Sequence, residues 1–239
     1  MKKIIVVFFT GLAALPAFAQ SPNSPAEREM IVRQIANLTP NSPGAPGFDD
    51  RYQGVEGTPY FEDNWLPGKV YLAGDKSLEE ELVFRLDIHK QQLLLQLPSK
   101  QLNGVVGASN IRKVVLRKNP VDSAVFILKE AESLGDKKIY GLSFYEVLLE
   151  GPQTLLKSWR KTFRKADYQQ PYSPDRRSDT YELETTMYYL VLPDGKVAAF
   201  KLKKKAIQKA LPEWQKGLDK FKGDLETEAG LIAFLKTVQ

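Results

Sequence analysis

Gly68-Lys69-Val70-Tyr71-Leu72, then Leu82-Val83-Phe84-Arg85-Leu86-Asp87-Ile88, then Leu93-Leu94-Leu95-Gln96-Leu97: these three runs decide the fold. In the second, Leu82, Phe84, Leu86 and Ile88 alternate with Val83, Arg85, Asp87 and His89. An apolar side chain at every second position is the period of a strand with one buried face, not of a helix. Leu93, Leu95 and Leu97 restart the pattern after the polar break His89-Lys90-Gln91, which predicts an antiparallel hairpin. The Gly68–Leu72 run, set off by Gly74-Asp75, supplies a third strand.

Downstream, Val105-Val106, Ile111 to Lys118, Ala124 to Lys129 and Tyr140 to Glu150 are further strands, punctuated by Asn103-Gly104 and Asn119-Pro120. Gly151-Pro152 turns the chain into Thr154 to Arg164, and Pro193-Asp194-Gly195 joins Tyr181–Leu192 to Lys196–Leu202. Short strands with turn signals at regular spacing predict an antiparallel sheet that curls or closes, a curled sheet or an open barrel or roll, and not βαβ units. The period then changes to that of helices. Leu202, Ala206, Ile207, Ala210 and Leu211 fit one, Pro212 opens a second with Trp214, Leu218 and Phe221, and a third runs from about Leu225 with Leu231, Phe234, Leu235 and Val238 on one face. The fold class is mainly β (α+β), with a β-hairpin and α-helices at the C-terminal end, which argues against an outer-membrane barrel.

The first residues read as a signal peptide, 1–19. Lys2-Lys3 is a basic n-region, Ile4 to Phe9 begin an apolar h-region, and Ala17-Phe18-Ala19 is a small-x-small cleavage site. The apolar run is shorter than the roughly 20 residues that span a bilayer, and Pro16 lies near its end. Cleavage after Ala19 therefore leaves a chain that is not transmembrane and is expected in the periplasm, secreted or at the cell surface. Residues 20–57 form a tether with a short helix through Met30, Ile31, Ile35 and Leu38, followed by a loop from Thr39 to Gly47. Residues 58–168 are the antiparallel β domain. The boundary lies in Ala166–Ser178, around Pro171 and Pro174, and 178–239 are the hairpin plus helices.

Among 239 residues there is no cysteine. That excludes a lipid-anchored N-terminal cysteine, disulfides, thiol catalysis and cysteine-ligated metals. The formal charge of +5 falls to +3 once Lys2 and Lys3 leave with the signal peptide, too mild a balance to imply nucleic acid as a partner.

Catalytic motifs are missing. His89 is the one histidine and sits at a hairpin turn, where a solvated polar role is the commoner one, because a triad or metal site needs partners held beside it. Asp49-Asp50, Glu62-Asp63 and Glu79-Glu80-Glu81 are the carboxylate clusters. Two carboxylates across a cleft could hydrolyse a glycosidic bond, but adjacent acids on a strand point to opposite faces. Trp159 to Lys165 interleaves aromatics with cations, as a soluble edge strand does. Tyr60, Phe61 and Trp65 are expected to plug the end of the sheet. Lys201-Lys203-Lys204-Lys205 and Lys216-Lys220-Lys222 are expected as solvated helix faces, or as contacts to anionic head groups near a membrane. No catalytic, cofactor or metal residue is assigned, and no cofactor.

Gly57-Thr58-Pro59-Tyr60, Pro67-Gly68-Lys69-Val70-Tyr71-Leu72, Phe144-Tyr145-Glu146-Val147-Leu148, Tyr188-Tyr189 with Pro193-Asp194-Gly195-Lys196, and Leu211-Pro212 follow one another in this order. In that order the chain resembles a group of exported β-rich proteins of Gram-negative bacteria with no assigned activity. The resemblance implies a periplasmic or surface protein and transfers no catalytic residue. The expectation is therefore a non-enzymatic binding or structural module of the cell envelope whose partner is a protein or envelope component; the alternative is a carboxylate-dependent hydrolase acting on envelope glycans.

Overall fold

The computed structural model describes residues 39–40, 55–72, 77–78, 82–97, 102–136, 140–166 and 178–238. The signal segment, the Met30–Leu38 helix, Asp49-Asp50, Glu79–Glu81 and the loop around Pro171 lie outside the described residues.

Among the described residues, twelve strands form one sheet, strung in the order β1-β6-β5-β4-β2-β7-β8-β9-β10-β13-β14 with β3 beside β2. Here β1 is Thr39–Pro40, β2 Leu66–Leu72, β3 Ser77–Leu78, β4 Val83–Asp87, β5 Gln92–Leu97, β6 Leu102–Val106 and β7 Ile111–Arg117. The remainder are β8 Ser123–Glu130, β9 Leu142–Leu149, β10 Thr154–Ser158, β13 Tyr188–Val191 and β14 Val197–Phe200. A separate antiparallel ribbon joins β11, Lys161–Arg164, to β12, Thr180–Leu183. Three helices follow: α1 Lys204–Ala210, α2 Gln215–Lys220 and α3 Glu228–Thr237.

The first hairpin forms as its periodicity predicts. Phe84 lies opposite Leu95 and Leu86 opposite Leu93, and Phe84, Leu86, Ile88, Leu93 and Leu95 are all buried. Strand β2 pairs with both halves of the sheet. Leu66 and Pro67 meet β4, while Gly68 to Leu72 meet β7. Gly68 is required there, because a Cβ would stand 2.4 Å from the Val115 carbonyl oxygen.

Strands β6 and β7 are four places apart in the sheet, about 19 Å if it were flat. Only Gly107 and the 3₁₀ turn Ala108–Asn110 join them, and a 3₁₀ turn rises about 2 Å per residue. The sheet must therefore roll up, and it does so without closing into a barrel. Its inner face holds Val70, Val114, Leu116, Phe126 and Phe144.

The expected turns form for the stated reasons. Asn119 Oδ1 accepts the Val121 and Asp122 amides at 3.0 and 2.9 Å. Asp194 Oδ1 accepts the Lys196 amide, and Gly195 takes φ +81.

Several expectations need correction. Thr39 and Pro40, whose composition predicts loop, pair with Asn103 and Leu102 on the rim of the sheet, where proline's missing N–H costs no ladder bond. The Thr154–Arg164 run breaks at Trp159-Arg160, and Tyr181–Leu192 breaks at 184–187. Both breaks lift the chain off the sheet so that β11 and β12 can pair with each other. Leu183 is accordingly 52% exposed. Helix α3 starts at Glu228 because Thr227 caps it, its hydroxyl accepting the Gly230 amide at 3.1 Å. The same helix stops at Thr237, which leaves Val238 exposed.

Strand β13 pairs with β10 along Thr154–Lys157, so the hairpin continues the main sheet. Leu155 of β10 packs in one cluster with Leu190, Phe200, Ile207, Leu218, Leu231 and Phe234 from the hairpin and helices. On the opposite face, Tyr145, Leu156, Tyr189 and Leu134 make a smaller cluster.

Candidate functional site

The hairpin turn Ile88–Gln91 is held rigidly. Asp87 Oδ1 accepts the His89 and Lys90 amides at 2.9 and 2.7 Å, and burial pushes the Asp87 carboxyl up despite them. Gln91 takes φ 54, a left-handed conformation that glycine would adopt more readily. Its side chain offsets that cost, donating to Ile88 O at 2.8 Å and accepting the Phe144 amide at 2.8 Å.

Beside this turn the chain leaves the sheet at Trp159-Arg160. Arg160 does not stay in solvent with the other cations of its run, as its sequence position suggested. Its side chain is 11% exposed and pairs with Asp136, itself 4% exposed. The Tyr189 hydroxyl donates to the same Asp136 Oδ2 at 2.7 Å. Burial lifts Tyr189 to about 12, so the phenol stays protonated and remains a donor. Next along, Lys161 Nζ donates to Tyr60 O at 2.7 Å, and its desolvation pulls its pKa down against the nearby Asp63, Glu62 and Asp87. Arg164, by contrast, is exposed and pairs with Glu182 across the ribbon at 3.0 Å.

These pieces surround a cavity of about 530 Å³, lined by Ile88, His89, Gln91, Tyr140, Arg160, Lys161, Thr162 and Glu184. His89 Nδ1 donates to Lys161 O at 2.8 Å, and its ring stands edge-on to Tyr181 at 5.3 Å. With Nδ1 so engaged, Nε2 is the ring nitrogen left for another partner. The Thr162 hydroxyl donates to Glu184 Oε1. Arg160 Nε is buried with no acceptor among the described residues, a state that costs free energy unless something fills it. Tyr140 is 85% exposed at the rim.

A second polar constellation lies inside the sheet. Register places Val70, Val114, Phe126, Glu146, Lys157, Tyr188 and Phe200 opposite one another in turn, strand by strand, on one face. In the middle of this otherwise apolar and aromatic row sit a glutamate and a lysine. Lys157 Nζ lies 3.9 Å from Glu146 Oε2 and 2.6 Å from Glu228 Oε1 of α3, and 4.0 Å from the centroid of the Trp159 ring. Trp159 Nε1 donates to Glu146 Oε2 at 2.6 Å, and the Tyr188 hydroxyl donates to Glu228 Oε1 at 2.7 Å. Burial drives Glu146 upward, only partly countered by Trp159 and Lys157. For Glu228, burial pushes up as well, but the Lys157 ammonium and the Tyr188 hydroxyl outweigh it and hold the carboxyl below its usual value.

The sequence clusters fare unevenly. Of Glu62-Asp63, Glu62 makes a 3.7 Å ion pair with Lys118 and Asp63 is exposed. Phe61 packs edge-on to Phe126 and Trp159 at 4.9 and 5.1 Å. The Arg85 guanidinium lies over Tyr60 and Trp65 at 4.6 and 4.9 Å. The sequence reading missed Asp136, Arg160 as a buried cation, and the Glu146–Lys157–Glu228 set. One signal was present: Glu146 occupies the same side of its strand as Phe144 and Leu148.

Among the described residues, no three His, Asp or Glu side chains converge as a metal site, and no helix is long and apolar enough to cross a membrane. No protein-family model, no curated protein and no solved structure matches the chain.

Proposed function

We propose that this protein is an exported, non-enzymatic binding module of the cell envelope, and that it takes its ligand in the cavity between the His89 turn and the β11–β12 ribbon. Export is supported by the Lys2-Lys3, Ile4–Phe9 and Ala17-Phe18-Ala19 pattern. One observation carries the binding reading: Arg160, whose buried Nε has no acceptor among the described residues, lines the same cavity as His89, Thr162 and Glu184. A concave site with a few convergent polar groups is the usual form of a ligand pocket.

Titrating the isotope-labelled protein with fractionated envelope peptides and oligosaccharides, followed by NMR, tests this. Shifts should cluster at His89, Arg160–Thr162 and Glu184, and Arg160→Leu should abolish them. A ligand that perturbs other residues, or one indifferent to Arg160, overturns the reading.

The hydrolase alternative has one observation behind it. Glu146 and Glu228 flank a common point with their pKa values pushed apart, as an acid and its partner carboxylate require. Against it, the Lys157 ammonium fills the space between them, where a glycosidic oxygen would have to lie. Glycan turnover lost in both E146Q and E228Q would reverse that preference.

A further inference from the structure

Two short helices repeat one pattern. In α1, Ile207 is buried, with Lys205 two residues before it and Lys209 two after. In α2, Leu218 is buried, with Lys216 two before and Lys220 two after. At about 100° per residue, a position two away from the buried one points to the opposite side of the helix. All four lysines are exposed. Gln208 Nε2 donates to Asp219 Oδ1 at 2.7 Å, which ties α1 to α2.

Each helix thus carries a like-charged pair at i and i+4, an arrangement that costs helix stability. Lys201, Lys203, Lys204 and Lys222 are exposed at the helix ends. Among the described residues, none of these eight lysines has an ion-pair partner. Some cations elsewhere on the surface find acids: Lys113 with Glu150, Lys118 with Glu62, Arg164 with Glu182 and Lys196 with Asp194.

We propose that the outer face of α1 and α2 is a docking surface for an anionic lipid bilayer, which supplies headgroup phosphates to the unpaired lysines. The partner follows from charge and shape. Helices of seven and six residues, tied by the Gln208–Asp219 bond, each carry exposed lysines away from their buried side. No aromatic side chain lies on these two helices to stack a base, so the face lacks what single-strand nucleic-acid binders use. Ile207 and Leu218 are committed to the core, so attachment is electrostatic and superficial, without insertion. This inference is independent of the cavity and of its ligand.

Co-sedimentation of the mature chain with vesicles tests it. Binding is expected to mixed phosphatidylcholine–phosphatidylglycerol vesicles and not to pure phosphatidylcholine. It should vanish as salt approaches about 1 M, where screening acts within about 3 Å. Each Lys→Gln change at 205, 209, 216 or 220 should weaken partitioning by about fivefold. A matched control, Lys→Gln at 90, 129, 165 and 196, removes the same charge from other faces and should retain most of the binding. Circular dichroism confirms that both variants fold. Equal losses in the two sets, binding that survives high salt, or tighter association with single-stranded DNA than with vesicles at one salt concentration each overturn the proposal.

Discussion

Lys157 Nζ and Glu228 Oε1 meet at 2.6 Å, bridging the middle of the sheet to the first turn of the last helix. The pair anchors the N-terminal end of α3, where a carboxylate is also favoured by the helix dipole. Because Glu228 titrates below its ordinary value of 4.5 when folded, its contribution is present above that pH and drains away as pH falls through the lower folded value. Glu228→Gln should cost on the order of 1 kcal/mol at neutral pH, after discounting for partial exposure. Well below that folded value its stability should converge on the parent's. Glu146 is shifted the other way, so the parent-minus-variant difference is the quantity to plot. Urea denaturation at a series of pH values gives it; a difference that grows on acidification would contradict the assignment.

Phe84 is fully buried between Leu66 and Leu95 at the heart of the rolled sheet. Phe84→Ala should cost about 3–5 kcal/mol. A loss below about 1 kcal/mol in denaturant titration would mean that the inner face is not the core.

Gly68→Ala tests the close approach of β2 and β7. The added methyl meets backbone, 2.4 Å from Val115 O, and not a movable side chain tip. The strands have to part, at a cost on the order of 2–3 kcal/mol. Loss of amide exchange protection at Val115 and Leu116, ahead of other β7 residues, is the local signature to look for.

Asp136→Ala strands Arg160, whose side chain is 11% exposed. Removing one partner of a buried ion pair costs about 3–5 kcal/mol, whereas replacing both with apolar groups of similar size is often neutral. The double change Asp136→Leu with Arg160→Met should therefore recover much of the loss. If Asp136→Ala is tolerated instead, water reaches the guanidinium from the cavity and the pair is not buried in the energetic sense.

Leu155 lies in the cluster formed by the hairpin and helices, although it belongs to a strand laid down before them. Leu155→Ala should cost about 2–5 kcal/mol. It should lower one common melting transition, read alike by far-ultraviolet dichroism and tryptophan fluorescence. Two separated transitions would show that the helices melt on their own.

The alternation in Leu82–Ile88 and the Pro193-Asp194-Gly195 turn were legible because each depends on residues adjacent in sequence. The same holds for Ile207 and Leu218, whose spacing marks the inward side of each helix. Arg160 and Asp136 were not legible. Nothing local distinguishes a buried arginine from its exposed neighbour Arg164; the difference arises where the chain leaves the sheet and meets Asp136 from the segment between β8 and β9. Lys157 likewise becomes an interior cation only once Glu146 and Glu228 arrive from two other elements. The cavity is a product of tertiary arrangement altogether, since its lining comes from four separate stretches of chain.

Strand β2 carries neighbours on both edges, and that fixes an order of assembly. Its partners β3 and β4 are the next two strands of the chain, but β7 exists only after β3 to β6 have been made. Until then the edge from Gly68 to Leu72 presents unpaired backbone, a template for any passing strand. Because contacts between distant segments form slowly, the interval before β7 docks is when this chain is most open to mispairing, and a chaperone that shields the Gly68–Leu72 edge would act at that step.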